Sequence, residues 1–302
     1  MTHASRRTQL EIPEGVLLGH ALVAGLAAGL GIRAFFIKGP VSVLQGLREA
    51  KVSADVDVVV DPVRLEDLMQ GLHERGWRER PVDPDSRTFP KHSVTVHHPE
   101  WPCCIDVHFR FPGMERPDCF ESLWANTETL ELAGQQLTVP SRELGVLFLA
   151  LHALRSPALP ACRHELDYLA DLTRREILAE ELLEVARATN SLAAVRPFLE
   201  VLLPSSITVV WPEPSPEWRN RVAAQDPGSA RLLAILQAPW SEKPRLLWGA
   251  LFPTREVFLS GNIYADMSLF GQLRQHCARW WRFVRALPRI ARSLRKLSAS
   301  GD

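Results

Sequence analysis

Stretches of helical apolar spacing and stretches of strand-like alternation take turns along the first half of the chain. A nearly uncharged run from Val16 to Gly31 predicts an opening amphipathic helix, and RAFFIKG (33–39) then reads as a strand ending in a glycine turn. GPVSVLQGLREA (39–50) predicts a short helix with Pro40 in its first turn. DVDVVV (55–60) is the next strand. In PVRLEDLMQGLHERGW (62–77) the residues Val63, Leu65, Leu68, Met69 and Leu72 recur at helical spacing, and Gly76 is placed to end the helix. A polar loop over 78–90 leads to HSVTVHH (92–98) and CIDVHFRF (104–111), which the PEWP connection joins as an antiparallel hairpin. LELAGQQLTVP (130–140) predicts another hairpin around Gly134 and Gln135.

Strand signals stop at Ser141, where a serine with Glu143 close behind favours a helix start without forming a full capping box. SRELGVLFLALHALRS, CRHELDYLADLTRRE, ILAEELLEVARATN and SLAAVRPFLEVLL then follow as successive helices, and the proline-rich WPEPSPEW (211–218) marks a turn or subdomain boundary. The expected fold class is α+β, with a small mixed β-sheet core and flanking helices over 1–140 and an all-helical half over 141–302.

The strand at 55–60 poses a chemical question. Residues i and i+2 of a strand share a face, so Asp55 and Asp57 project together while Val56 and Val58 face the other side. Paired carboxylates in a partly buried place repel, and a proton or a bound cation relieves them; oxygen donors of this kind suit Mg²⁺ or Mn²⁺. Asp106, in CIDVHF, supplies a third carboxylate on another predicted strand. Three aspartates on adjacent strands can hold two cations about 3.5–4 Å apart, an arrangement that clamps the attacking and leaving oxygens of phosphoryl or nucleotidyl transfer. Lys38, beside Gly39, could steady the phosphates. The bland alternative for Asp55 and Asp57 is an edge strand with one solvated face. Lys38 reads equally as a strand-end surface lysine. His108 shares a face with Asp106 and reads either as a metal or phosphate contact or as a satisfied, partly buried histidine. His92, at a strand start, could approach the site. His97 and His98 point to opposite faces, and Asp167 and Asp171 read as solvated ion-pair residues.

The ordered set IKG (37–39), Arg48, SADVDVVVD (53–61), a helix ending in GW (76–77), His92 and IDVHFRF (105–111) resembles the nucleotidyltransferase superfamily with a polymerase-β-type core. More narrowly, it resembles the bacterial family usually described as uncharacterised nucleotidyltransferases, whose helical segments LFLALHALRS (147–156) and HELDYLADL (164–172) are also similar. The resemblance implies Asp55, Asp57 and Asp106 as metal ligands and catalytic carboxylates, with Mg²⁺ or Mn²⁺ as cofactor and a nucleoside triphosphate as co-substrate. It implies Lys38 and Gly39 as the phosphate contact, with Ser53 and His108 in the same nucleotide-binding set. The acceptor, a hydroxyl or phosphate on a small molecule, peptide or RNA, is not specified by it; some relatives resemble accessory enzymes of peptide natural-product pathways. One departure stands out. Characterised superfamily members place Gly-Ser in the turn that cradles the triphosphate, whereas this chain has Lys38-Gly39-Pro40, and Pro40 has no N–H to offer. A catalytically silent nucleotidyltransferase-like binding module for RNA, peptide or protein is therefore the alternative, and phosphodiester hydrolysis on the same metals is a third reading.

Composition adds limits. With 302 residues and 46% hydrophobic content the chain can form two domains of ordinary size, and its 35 basic and 35 acidic residues cancel, so any pull toward a polyanion is local. Such a locality exists at the C-terminus. Between Asp266 and Asp302 there is no acidic residue, while Arg274, Arg279, Arg282, Arg285, Arg289, Arg292, Arg295 and Lys296 interleave with Trp280, Trp281, Phe283, Leu287, Ile290 and Leu294. Pro288 is expected to divide this segment into two helices. It suits an anionic partner (RNA phosphates, an anionic membrane surface or an acidic protein) or else docks on the helical half. The five cysteines form no C-x-x-C pair and suggest a reducing cytosol, hence a cytoplasmic protein. Arg6 and Arg7 ahead of an apolar run faintly suggest a twin-arginine export signal; Glu11, Glu14 and the absence of a clear cleavage site argue against it, and no transmembrane segment is expected.

Overall fold

The computed structural model describes residues 10–81, 89–115, 118–261 and 266–299. Its first helix, α1 (Ile12–Gly29), begins four residues before Val16 because Pro13 is accommodated in the first turn and the Glu14 carboxylate accepts from the Glu11 N–H at 3.2 Å. After it come β1 (Ala34–Ile37), α2 (Gly39–Leu44), β2 (Asp55–Val60), a 3₁₀ turn at Pro62–Arg64, α3 (Leu65–Glu74), β3 (Arg78–Glu79), β4 (Ser93–His97), β5 (Cys104–His108) and α4 (Cys119–Trp124). A hairpin of β6 (Thr127–Leu132) and β7 (Gln135–Pro140) closes the strand-bearing part.

Among the described residues the main sheet has five strands in the order β1-β2-β5-β4-β3. β1 is antiparallel to β2 and β4 to β5, whereas β2 and β5 run parallel. The PEWP connection thus forms the expected hairpin. The parallel pair needs the long crossover that α3, β3 and β4 provide. The fold is the mixed α+β architecture read from the sequence.

The main sheet packs on both of its faces. Val56, Val58, Val60, Val94, Val96, Ile105 and Val107 join Val16, Val23 and Leu26 of α1 and Leu68, Met69 and Leu72 of α3 in one apolar cluster. Fully burying each such side chain contributes about 1.5–3 kcal/mol. Gly19 lets α1 lie this close: a Cβ there would stand 2.9 Å from Val56 Cγ2. α1 is long and apolar enough to cross a membrane by length and composition, yet its Val16 and Val23 are core residues of this cluster. The opposite face contributes Phe35, Ile37 and Val59 to a second cluster shared with the helices after Pro140.

Those helices are α5 (Arg142–Leu154), α6 (Pro160–Glu176), α7 (Ala179–Ala188), α8 (Leu192–Leu202), α9 (Pro216–Ala223), α10 (Ser229–Gln237), α11 (Lys243–Leu251), α12 (Arg255–Gly261) and α13 (Leu269–Ala299). Ser141 caps α5, its hydroxyl oxygen accepting from the Leu144 N–H at 3.3 Å. Phe148 of α5 packs between Phe35 and Phe111, with centroids at 6.1 and 4.7 Å. This aromatic contact fastens the helical half to the sheet.

One expectation is corrected. Pro288 lies inside α13 and does not divide it. The missing N–H costs one helical hydrogen bond, but Ala286 and Ile290 on either side are buried at 0% and 1% exposure, so packing holds both flanks in one helix. Arg6, Arg7, residues 82–88 of the polar loop and the side chains of Arg295 and Lys296 lie outside the described residues.

Candidate functional site

The parallel pairing of β2 and β5 sets Asp57 opposite Asp106 and Asp55 opposite Cys104. Period-2 alternation then puts all three aspartates on the sheet face away from α1 and α3. Donor atoms of Asp57, Asp106 and His108 lie within 4.8 Å of one another. Asp55 stands outside that trio, one step back along β2. The hydroxyl of Ser53 donates to its carbonyl at 3.0 Å and to its carboxylate at 3.2 Å. Ser53, expected among the nucleotide contacts, is thus bonded to Asp55.

Asp57 is the electrostatic centre. Its Oδ1 accepts from Lys38 Nζ and from His108 Nε2, each at 2.9 Å, with the Asp57 and Lys38 side chains only 8% and 12% exposed. Burial works to raise its pKa, but the Lys38 ammonium and His108 outweigh it and hold the carboxyl far below the usual range. An ionised carboxylate can only accept, so His108 donates to it from Nε2, and its Nδ1 is buried with no partner.

The turn that aims Lys38 at Asp57 is strained. Lys38 has φ +59° and ψ −158°, a region that costs a side-chain-bearing residue about 1–3 kcal/mol, and Gly39 follows at φ +50°. Ser53 closes in behind: a Cβ on Gly39 would meet its Oγ at 3.3 Å. The Lys38-Gly39 turn, expected to hold phosphate, spends its ammonium on Asp57.

Asp55 and Asp106 carry the deficit. Burial, then the Asp57 and Asp106 carboxylates, push Asp55 above an ordinary aspartate, against the pull of Lys38 and Ser53. Oδ1 of Asp106 is buried with no hydrogen-bond partner. A hard divalent cation would supply the missing partner and relieve the repulsion, and the oxygen-rich donor set fits Mg²⁺ or Mn²⁺.

The helical half brings cations to the same place. Phe111 lies beside His108, with centroids 6.1 Å apart, and both Lys38 Nζ and Arg155 Cζ sit over its ring, at 5.7 and 5.1 Å. Burial, then the Arg221 charge, lower Arg155 to about 10. Arg221 Nη2 lies 3.4 Å from His92 Nδ1, and the His92 ring is 5.8 Å from His108, so His92 does approach the cluster. Burial and the neighbouring cations, Arg221 for His92 and Lys38 for His152, depress these imidazoles to about 2 and about 3, leaving both neutral at neutral pH. Of the other residues weighed in the sequence, Asp171 pairs with Arg174 at 2.9 Å on an exposed helix face.

Arg155, Arg221 and Phe111 were not singled out by sequence reasoning. For Arg155 a signal existed: α5 is buried almost throughout from Leu144 to Leu154, and His152 and Arg155 interrupt that run at its end. Arg221 offered none, since it reaches the site only through the packing of α9.

The sequence profile of a family described as uncharacterised nucleotidyltransferase matches residues 20–202. No curated protein matches the chain by sequence. Partial structural likenesses include the solution structure of the antibiotic-resistance factor ANT(2'')-Ia, at 13% identity and a TM-score of 0.40 over 60% of this chain and 94% of that one. An antigenic nucleotidyltransferase-like protein from Paracoccidioides brasiliensis gives 14% identity and a TM-score of 0.38 over 64% of this chain and 95% of that one. A tRNA-processing enzyme in its apo form gives 14% identity and a TM-score of 0.27 over 85% and 80%. Since the profile spans more than half of its length and takes in the strands of Asp55, Asp57 and Asp106 together with α5, the chain belongs to the uncharacterised nucleotidyltransferase family.

Proposed function

We propose that this protein is a divalent-cation-dependent nucleotidyltransferase, transferring a nucleoside monophosphate from a nucleoside triphosphate to a hydroxyl or phosphate acceptor. Asp55, Asp57 and Asp106 would hold Mg²⁺ or Mn²⁺. The observation that carries the reading is the in-register pairing of Asp57 with Asp106, in which one oxygen of Asp57 accepts from Lys38 and His108 and Asp106 has a buried oxygen without a partner.

A bound divalent cation would neutralise phosphate charge and make the acceptor hydroxyl more acidic. The chain's own residues do the positioning. Lys38 and His108 lock Asp57 in one orientation, Ser53 fixes Asp55, and Asp106, with an oxygen that has no partner, is the carboxylate able to take the acceptor proton. The acceptor oxygen forms its bond to the α-phosphorus as the bond to pyrophosphate breaks. The free thiols of all five cysteines support a cytosolic setting. The test is transfer of labelled nucleotide to fractions of small molecules, peptides and RNA: Asp55→Ala and Asp106→Asn are expected to remove transfer from folded protein. Activity retained in either folded variant defeats the reading.

A second reading has its own support. Lys38 already neutralises Asp57, and the turn that bears it lacks the Pro40 N–H, as expected of a nucleotidyltransferase-like module that binds without catalysis. Calorimetry with ATP, CTP, GTP and UTP in Mg²⁺ separates the two, since binding of none of them favours the silent module.

A further inference from the structure

We infer that Arg155, at the end of α5, is the receptor for the polyphosphate tail of the nucleotide, a role the sequence motif assigned to Lys38 and Gly39. The inference rests on the nucleotidyl-transfer reading for the identity of its ligand, though not for the existence of an anion site.

Three guanidiniums gather around His92, and two are already satisfied. Arg110 donates to both oxygens of Glu217 at 2.7 Å, and Arg221 donates to the same carboxylate at 2.8 Å. Glu115 adds a second negative charge within reach of Arg221. Arg155 differs. Its Nε and Nη2 are buried and have no hydrogen-bond partner, and no carboxylate pairs with it among the described residues. Its guanidinium lies over the face of Phe111, 5.1 Å from Cζ to the ring centroid.

Buried polar atoms without partners are few in folded proteins, and a charged one is costly unless something completes it. Here they cluster. Arg155 Nε and Nη2, His152 Nδ1, His108 Nδ1 and Asp106 Oδ1 all lack partners, and all belong to residues around Asp57 and Phe111. Charges of both signs meet around Asp57 and Phe111: the carboxylates of Asp55 and Asp106, the Lys38–Asp57 pair, and the guanidinium of Arg155, which has no carboxylate of its own among the described residues. A triphosphate would use both kinds of charge, its α-phosphate at a cation held by the carboxylates and its leaving pyrophosphate at the arginine. Lys38 is held by Asp57 at 2.9 Å, which leaves Arg155, unpaired among the described residues, to take the tail. A planar guanidinium also suits two phosphate oxygens at once, which an ammonium does not.

The test uses inorganic tripolyphosphate with the full chain in EDTA, so that neither metal nor chemistry is needed. Calorimetry is expected to show binding to the parent protein, weakened about 10- to 100-fold in Arg155→Met and less in Arg155→Lys. Arg155→Met removes an unpaired buried charge, so its melting temperature without ligand should equal or exceed the parent's, while the shift produced by tripolyphosphate shrinks. Undiminished tripolyphosphate binding in Arg155→Met overturns the inference, as does a lowered ligand-free melting temperature, which would mean that the guanidinium has a structural partner. If Arg155 governs tripolyphosphate affinity while no nucleotide is ever transferred, the anion site stands and the transferase reading falls. If transfer proceeds in Arg155→Met with an unchanged KM for the nucleotide, the reverse holds.

Discussion

Asp55 and Asp57 are two residues apart on one face, yet replacing each by asparagine should move stability in opposite directions. Asp57 is 8% exposed, accepts from Lys38 and His108, and is held ionised far below the normal aspartate range. Asp57→Asn leaves a lysine that is itself only 12% exposed without its counter-charge. Breaking a buried pair costs about 3–5 kcal/mol, and because asparagine can still accept one hydrogen bond the loss should fall near the lower end, about 3 kcal/mol. Asp55 is pushed the other way by burial and by Asp57 and Asp106. Asp55→Asn removes a repelled, partly solvated charge and should raise stability by no more than about 1 kcal/mol after solvent screening. Denaturant unfolding in EDTA at neutral pH, followed by tryptophan fluorescence, measures both. Equal destabilisation by the two substitutions, or a neutral Asp57→Asn, refutes the electrostatic reading of the site. Both variants should lose nucleotidyl transfer, so the opposed stabilities mark Asp55 as a residue kept for function at a cost to the fold.

The pH response follows from the same two carboxyls. The raised Asp55 carboxyl must lose its proton before it can bind a divalent cation, so calorimetry should show metal affinity falling as pH drops through a range above that of ordinary aspartate, with protons released on binding. Between the ordinary aspartate pKa and the raised Asp55 value the folded chain holds more protons than the unfolded one, so Asp55 makes metal-free stability fall as pH rises there; the depressed Asp57 contributes stability that is lost as pH drops below the ordinary value. Gly39→Ala, at φ +50° with Ser53 Oγ 3.3 Å from the new Cβ, should cost about 1 kcal/mol or more and lower metal affinity by displacing Ser53 from Asp55, read by unfolding and by calorimetry. Phe148→Ala, which empties the space between Phe35 and Phe111, should cost about 3–5 kcal/mol of stability in the same unfolding assay.

The chain's local periodicities determined much on their own. Alternation over 55–60 put Asp55 and Asp57 on one face and the valines on the other, the PEWP connection specified a hairpin, and helical spacing after Ser141 specified the helical half, because each depends on neighbours within a few residues. Pro288 shows where local rules stop: buried Ala286 and Ile290 override a proline that by itself predicts a break. The partnerships in the site are all long-range. That β5 lies parallel to β2 with Asp106 level with Asp57, that Lys38 turns back onto Asp57, and that Arg155 and Arg221 converge on Phe111 and His92 were decided by the packing of the two apolar clusters on opposite faces of the sheet. The sequence specified which side chains could do chemistry; which of them meet, and which are left without a partner, depended on contacts between residues far apart in the chain, where no local period carries information.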